Sequence, residues 1–398
     1  MPPSLPVFNL SYYLYLPNPE EKSYHPLRHL LYLTVWKPYL EDHPNWKLTT
    51  PDRCDLSNRD PIRQTTEFPY FSGSGKIFHH IRIFPMTWLT DKVPCARLCK
   101  MNQSPFNYKT RAQFYPPTFI FDPKNPSLIL KQYRSHVSYN KNQIQKNQNH
   151  TPLWYYKPSR GGGTRGIKLS HSFETLVFHA KLHQKQAVIQ QEIEQPDLIQ
   201  GRKYEIRWYL VVVYYRGELS YWWYNEGYLV ISPQKYSTTS VDTKSHFTNR
   251  NTSSDSERKS KIYQMTLSEA IPIVKEDLNK RGLELITQLC QRIPTLKSSI
   301  LSNHINSNPP EVYLDKPQYE VLAIDAIWSR VNQKLSLVEV NRYPGLYLSR
   351  DTPSCRELKI QFYQSIMSQI IEPILTNQPL DSSKNLPKKL TKVLSNLK

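Results

Sequence analysis

Three oxygen-bearing side chains in the last third of the chain could hold a divalent cation. Glu339 and Asn341 lie two apart in Leu337-Val338-Glu339-Val340-Asn341-Arg342-Tyr343-Pro344-Gly345-Leu346. The apolar and β-branched residues there suit the end of a buried strand. Residues two apart on a strand leave the same face, and Pro344-Gly345 then forces a turn. A carboxylate and an amide oxygen side by side are hard ligands of the kind Mg²⁺ accepts, with water and phosphate as its other ligands. The same pattern also suits a surface strand with two solvated polar residues. Asp325 closes Val321-Leu322-Ala323-Ile324-Asp325, fourteen positions before Glu339. A hairpin at that spacing brings the two carboxylates together, where they repel unless a cation neutralises them. That argues for a metal.

Cations are available for a phosphate-bearing ligand. In Gly201-Arg202-Lys203-Tyr204-Glu205-Ile206-Arg207, the alternation sends Lys203, Glu205 and Arg207 to one face of a strand whose other face is apolar. The set reads either as an ion-pair ladder or as a polyphosphate site. Lys157-Pro158 ends a strand and precedes Ser159-Arg160-Gly161-Gly162-Gly163-Thr164-Arg165-Gly166-Ile167. Glycines let backbone N–H groups approach phosphate closely, and a lysine adds a point charge. The spacing is not the GxxxxGK[ST] of a Walker loop, and a flexible hairpin tip would read the same way.

The elements that must position these residues can be placed by periodicity. Strands are expected at 115–121, 153–158, 187–192, 207–215, 219–224 and 227–231, with 320–328 and 334–341 as the hairpin. Arg207–Tyr215 (RWYLVVVYY) reads as a central strand. Ser172 is a candidate N-cap for a helix reaching Gln184. Helical spacing covers 266–305, with breaks expected at Pro272, Gly282 and Pro294, and a closing helix covers 355–375. The polar stretches 138–150 and 237–261 read as mobile loops. Strands and helices in alternation around a Gly-rich loop argue for α/β or α+β layers.

The whole-chain numbers narrow the partners. With 398 residues, the chain can bury a sizeable core in two or three packed subdomains. Its 52 basic and 33 acidic residues give a net charge of +19, which favours an acidic partner. A high tyrosine count (27) with few glycines (11) fits an ordered chain rather than a low-complexity one. The five cysteines are scattered and complete no zinc site, so reduced thiols in a cytosolic protein are expected. No segment reaches the roughly 18–20 apolar residues that span a bilayer, and no secretion signal is apparent. The three glycosylation sequons, beginning at Asn9, Asn102 and Asn251, are read as chance matches.

Six stretches, in order, resemble the tubulin–tyrosine ligase-like family, a branch of the ATP-grasp superfamily. They are WYYKPSRGGGTRGI (154–167), VIQQEIEQPDLIQGRKYEIRWYLVV (188–212), NEGYLVIS (225–232), SHFTN (245–249), YEVLAIDAIW (319–328) and LVEVNRYPGL (337–346). FYPPTFIF (114–121) resembles the strand that enters the ATP-grasp region. The resemblance implies an ATP-grasp fold with a small N-terminal α/β domain over 1–105. It also implies a central subdomain over 106–186, a C-terminal subdomain over 187–375 and a basic flexible tail over 376–398.

The resemblance also implies roles. Lys157 would contact nucleotide phosphates under a loop of Gly163, Arg165, Gly166 and Ile167. Gln190, Gln191, Glu192 and Ile193 would form the adenine hinge. Lys203 and Glu205 would reach the ribose and γ-phosphate side, and Arg207 would steady the reacting phosphate. Thr248 and Asn249 would touch the nucleotide, and Asp325, Glu339 and Asn341 would hold Mg²⁺. The implied reaction uses ATP to activate a protein carboxylate as an acyl phosphate, which the amine of a free amino acid then attacks. The implied acceptor is the acidic tail of tubulin or microtubules, glutamate is the favoured amino acid, and the implied location is the cytoplasm with cytoskeletal or ciliary association.

The chain departs from the family at Val230, where an arginine that helps recognise the amino acid is usual. Loss of a guanidinium removes a bidentate carboxylate clamp. Gln191-Glu192 replaces a basic-aromatic pair, and Phe247 replaces an aliphatic residue. Tyrosine ligase or glycylase activity, and an ATP- and microtubule-binding pseudoenzyme, are the alternatives. A nucleic-acid binder has charge and aromatics in its favour but no motif, and no membrane partner is expected.

Overall fold

The computed structural model describes residues 10–13, 37–42, 46–48, 56–57, 71–73, 76–78, 87–100, 114–144, 152–159, 164–248, 264–274, 277–303, 317–342, 344–345, 351–380 and 390–396. In the N-terminal region, β1 (Leu10–Tyr13), β2 (Trp46–Leu48) and β3 (Leu56–Ser57) form a parallel sheet with β1 central. A hairpin of β4 (Phe71–Gly73) and β5 (Lys76–Phe78) follows. Helices α1 (Lys37–Asp42), α2 (Thr87–Thr90) and α3 (Lys92–Lys100) are its other regular elements among the described residues.

Two antiparallel sheets carry the rest. The smaller has the order β6 (Thr118–Phe121), β9 (Ala187–Gln191), β7 (Trp154–Pro158), β8 (Lys168–Ser170). Alternation splits its strands by face: Phe119, Phe121, Trp154, Tyr156, Ala187 and Ile189 pack against α4 (Leu128–Ile144) and α5 (Phe173–His183). Tyr155, Lys157 and Gln190 are left for the other face. Helix α5 starts where expected, with the Thr175 N–H donating to Ser172 Oγ at 3.1 Å. Helix α4 extends to residue 144, into the stretch read as a mobile loop. Ile129, Leu130 and Tyr133 anchor its first turns, and propagation from an anchored nucleus carries the polar turns that follow.

The larger sheet is built on β11 (Arg202–Tyr215). One edge of β11 pairs with β13 (Tyr228–Ile231) and then β12 (Glu218–Tyr224), and the other with β15 (Gln318–Ser329). The short β10 (Leu198–Ile199) pairs with the start of β11. Strand β14 (Gln264–Thr266) flanks β13, and β16 (Lys334–Asn341) flanks β15. The central position expected for 207–215 is the one observed. Tyr204, Ile206, Trp208, Leu210 and Val212 face α3 and α8 (Leu278–Asn303). Tyr209, Val211, Val213 and Tyr215 face α9 (Pro353–Ile366) and the π-helical turn Met367–Ile371 that continues it. The second face is therefore apolar only from Tyr209 onward, and its first half carries Lys203, Glu205 and Arg207.

Helix α8 passes through Gly282 and Pro294 without a break, and Pro272 lies inside the helix Leu267–Val274, so none of the three expected breaks is found. A Cβ at Gly282 would lie 2.6 Å from Trp208 Cζ2, so the missing side chain lets the helix sit on the indole. The C-terminal segment read as a basic flexible tail supplies β17 (Leu390–Asn396), which pairs along β12. Leu390 is fully buried and Lys392 donates to Glu218 at 2.7 Å, so the polar composition belongs to an edge strand. Helices α6 (Thr243–His246), α7 (Leu267–Val274) and α10 (Glu372–Leu375) are short connectors.

Candidate active site

The polar half of the large sheet forms the floor of a cleft. Arg207 is in register with Tyr228 on one side and Asp325 on the other, and Asp325 is in register with Glu339. Residues directly opposite share a face, so the two carboxylates and the guanidinium form one row. A bulge makes this possible: Asp325 pairs with Glu339 but Ala326 pairs with Leu337, leaving Val338 as the extra residue. Leu335 and Leu337 thus enter the core, while Glu339 and Asn341 turn to the cleft.

Arg207 Nε and Nη2 donate to Asp325 Oδ1 and Oδ2, each at 2.6 Å. Asn341 Nδ2 donates to Asp325 Oδ2 at 2.7 Å. Burial raises the Asp325 pKa above the ordinary carboxylate range despite Arg207. Glu339 goes the other way: burial alone would raise its pKa, but Lys92 and then Lys157 hold it below the ordinary value. Lys92 Nζ lies 3.8 Å from Glu339 Oε2.

The smaller sheet forms the opposite wall. Lys157 Nζ donates to Gln190 Oε1 at 2.7 Å, and Gln190 Nε2 donates to the Thr118 hydroxyl at 2.9 Å. Burial pushes the Lys157 pKa down to about 8, with Glu339 opposing. Where the two sheets meet, Glu192 Oε1 accepts from Tyr155 Oη (2.8 Å) and Lys203 Nζ (3.0 Å), and Oε2 accepts from Tyr236 Oη (3.0 Å). His246 Nδ1 lies 3.1 Å from the same Oε1. Thr248 Oγ1 donates to Glu205 Oε2 at 2.7 Å. Burial, then Asp325, push the Glu205 pKa up to about 6. Leu153, Tyr155 and Phe247, with Ile167 and Leu169 against them, give the cleft an apolar end.

This arrangement places a packed apolar cluster at one end and a row of cations and carboxylates at the other. The sequence profile of the Tubulin-tyrosine ligase family matches residues 79–385. The chain belongs to that family. It is 31% identical to Tubulin glycylase 3C of Tetrahymena thermophila over 251 residues, covering 61% of the chain and 22% of that protein. It is 26% identical to Protein monoglycylase TTLL8 of Mus musculus over 237 residues, 55% of the chain and 27% of that protein. A third relative, the "Probable beta-tubulin polyglutamylase" of T. thermophila, is 26% identical over 295 residues, 69% of the chain and 22% of that protein. The chain therefore spans under a third of the length of these relatives. The mixed helix-and-sheet layers are those of an ATP-grasp-like member of the tubulin-tyrosine ligase family.

In this family member, Lys157, Gln190, Glu192, Lys203, Glu205, Arg207, Thr248, Asp325, Glu339 and Asn341 surround one cleft. Gln191 sits on the other face of β9, in register with Trp154. The backbone N–H groups of Gln191 and Glu192 already donate to Pro117 O and Leu153 O. Ile193 is buried just past the strand. Arg165 is exposed beside Gly166, whose φ of +75° favours glycine and where a Cβ would crowd Pro158 Cγ at 3.1 Å. Gly163 and Asn249 lie outside the described residues.

Sequence reasoning missed Thr118, Tyr155, Tyr236, His246 and Lys92. Tyr155 could have been found by its two-residue spacing from Lys157 on one strand, whereas His246 ends a short helix and carries no such signal. Nothing local points to Lys92. Asp325, Glu339 and Asn341 suit Mg²⁺ by donor chemistry, being buried or half-buried hard oxygen groups with Glu339 held in its anionic form. Val230 lies directly opposite Glu205 and so faces the cleft. Among the described residues, no helix is long and apolar enough to cross a membrane.

Proposed function

We propose that the chain is an ATP- and Mg²⁺-dependent ligase that joins a free amino acid to a carboxylate of an acidic protein tail, with tubulin as the acceptor. The observation that carries this reading is the convergence of Asp325, Glu339 and Asn341 with Lys157, Lys203 and Arg207 on one cleft with an apolar end. The apolar end takes the adenine ring between Tyr155, Phe247 and Ile167. Lys157 and Lys203 face the phosphates as point charges, and Arg207, locked by Asp325, neutralises charge on the transferring phosphoryl group. Asp325, Glu339 and Asn341 hold Mg²⁺, which when bound supplies Lewis-acid neutralisation of the phosphate oxygens.

An acceptor carboxylate oxygen attacks the γ-phosphorus and ADP leaves. The neutral amine of the amino acid then attacks the acyl carbon and inorganic phosphate leaves. The +19 net charge draws in an acidic tail. Glycine and glutamate are the amino acids in the names of the relatives, and Val230 gives neither a cationic clamp at its own position.

The test is incorporation of labelled glycine, glutamate or tyrosine into tubulin with Mg-ATP, read by mass spectrometry. Glu339→Gln should abolish incorporation while the fold persists; unchanged turnover would sink the metal assignment. Wild-type protein that binds ATP and incorporates none of the three would favour the pseudoenzyme.

A further inference from the structure

Glu192 sits where four segments distant in the chain meet, at a position read from the resemblance as adenine hinge. Its carboxylate is only 7% exposed, and the Lys203 side chain that it pairs with only 4%. Four side chains converge on its two oxygens: Tyr155 from β7, Lys203 from β11, Tyr236 from the loop after β13, and His246 from α6. His246 Nε2 lies 2.7 Å from the Ser240 carbonyl oxygen. His246 is thus held from both ring nitrogens, by Glu192 on one side and the Ser240 carbonyl on the other.

A carboxylate so engaged has little acceptor capacity to spare for a purine: three groups crowd Oε1, and Oε2 already accepts from Tyr236. Burial alone would favour its neutral form, but Lys203 and His246 hold its pKa well below the usual carboxylate range. What the carboxylate does do is fix one ammonium. Lys203 Nζ also lies 3.2 Å from Tyr155 Oη and 5.5 Å from the centre of the Tyr155 ring. The Lys157 ammonium lies 5.7 Å from the same ring centre, so Tyr155 spaces the two cations of the cleft. A lysine on a flexible four-carbon stem loses much rotamer freedom when it must meet a phosphate in one place. Prior anchoring by a buried acid removes part of that cost, as an acid on a neighbouring helix does for the phosphate-binding lysine of protein kinases.

We propose that Glu192 is a positioning residue for the nucleotide phosphates: its carboxylate, rather than contacting adenine, holds the Lys203 ammonium in place before the polyphosphate arrives. The inference rests on the nucleotide reading of the cleft. The test compares equilibrium binding of Mg-ATP and of adenosine, which lacks phosphates, to the wild-type protein and to Glu192→Gln, Glu192→Asp, Lys203→Met and the double variant Lys203→Met/Glu192→Gln.

In Glu192→Gln, Mg-ATP affinity should fall about tenfold, the scale of one charge-assisted hydrogen bond, while adenosine affinity is kept. Glu192→Asp should recover part of the loss, and in the Lys203→Met background the Gln substitution should have no further effect. Retained adenosine binding reports a folded cleft, so a generally destabilised variant is recognised by parallel loss of both ligands. That parallel loss, an unchanged or raised ATP-to-adenosine ratio, or an equal fall in the Lys203→Met background would each overturn the role. Wild-type protein that binds neither ligand would overturn the nucleotide reading itself, and this inference with it.

Discussion

Asp325→Asn tests the part of the cleft on which the rest depends. The Asp325 side chain is 2% exposed and that of Arg207 23%, and two parallel N–H···O bonds of 2.6 Å join them. Stranding one member of a fully buried pair costs about 3–5 kcal/mol. The asparagine keeps one acceptor oxygen for the guanidinium but turns an amide N–H₂ towards it, and Arg207 keeps partial access to water. The expected loss is therefore about 2–4 kcal/mol, a large part of the roughly 5–15 kcal/mol that stabilises a typical protein. Urea unfolding measures it, with an unchanged m-value confirming the same transition.

A cycle with Arg207→Met isolates the pair, and a coupling of about 2 kcal/mol or more is expected for residues sharing two such bonds. The same variant should lose the enhancement of nucleotide binding by Mg²⁺, because the neutral amide removes one anionic ligand. A stability loss under about 0.5 kcal/mol, or a coupling energy near zero, would refute the reasoning that this pair is a buried, charge-assisted clamp.

Two further outcomes follow from the geometry. Gly282→Ala should destabilise the protein by up to about 2 kcal/mol, because overpacking against Trp208 costs roughly 1–3 kcal/mol and offsets the gain of about 1 kcal/mol in helix propensity. Thermal unfolding with tryptophan fluorescence reads both the stability and the indole's surroundings, and a stabilised variant would contradict the contact. For Lys157, burial lowers the folded pKa from 10.5 to about 8. Between those values the unfolded chain binds more protons, so this group adds stability as pH rises, while the cation needed for phosphate is lost above about 8. Mg-ATP affinity should thus decline from pH 8 upward in the wild type and stay level in Lys157→Arg, and an identical decline in both would assign the titration elsewhere.

Much of the cleft was legible in the chain because it is written in strand alternation. Lys203, Glu205 and Arg207 share a face for the same reason that Tyr204, Ile206 and Trp208 share the other, and a period of two is a local property. The Asp325–Glu339 hairpin was legible for a similar reason, since its length and turn residues lie within one short stretch. The N-cap at Ser172 and the central strand needed only neighbouring residues as well.

Other features had no local signature. Strict alternation would put Leu335, Leu337, Glu339 and Asn341 on one face; only pairing with β15 creates the bulge at Val338 that sends the leucines to the core and the ligands to the cleft. Glycine at 282 reads as a helix breaker until the Trp208 indole is beneath it. The polar C-terminal segment becomes a strand because β12 has a free edge there. The partners of Glu192 and the closeness of Lys92 to Glu339 come from segments far apart in sequence. Sequence determined which chemical groups the cleft could contain. Long-range packing decided which of them meet, because burial and charge pairing act between atoms in space, whatever their separation along the chain.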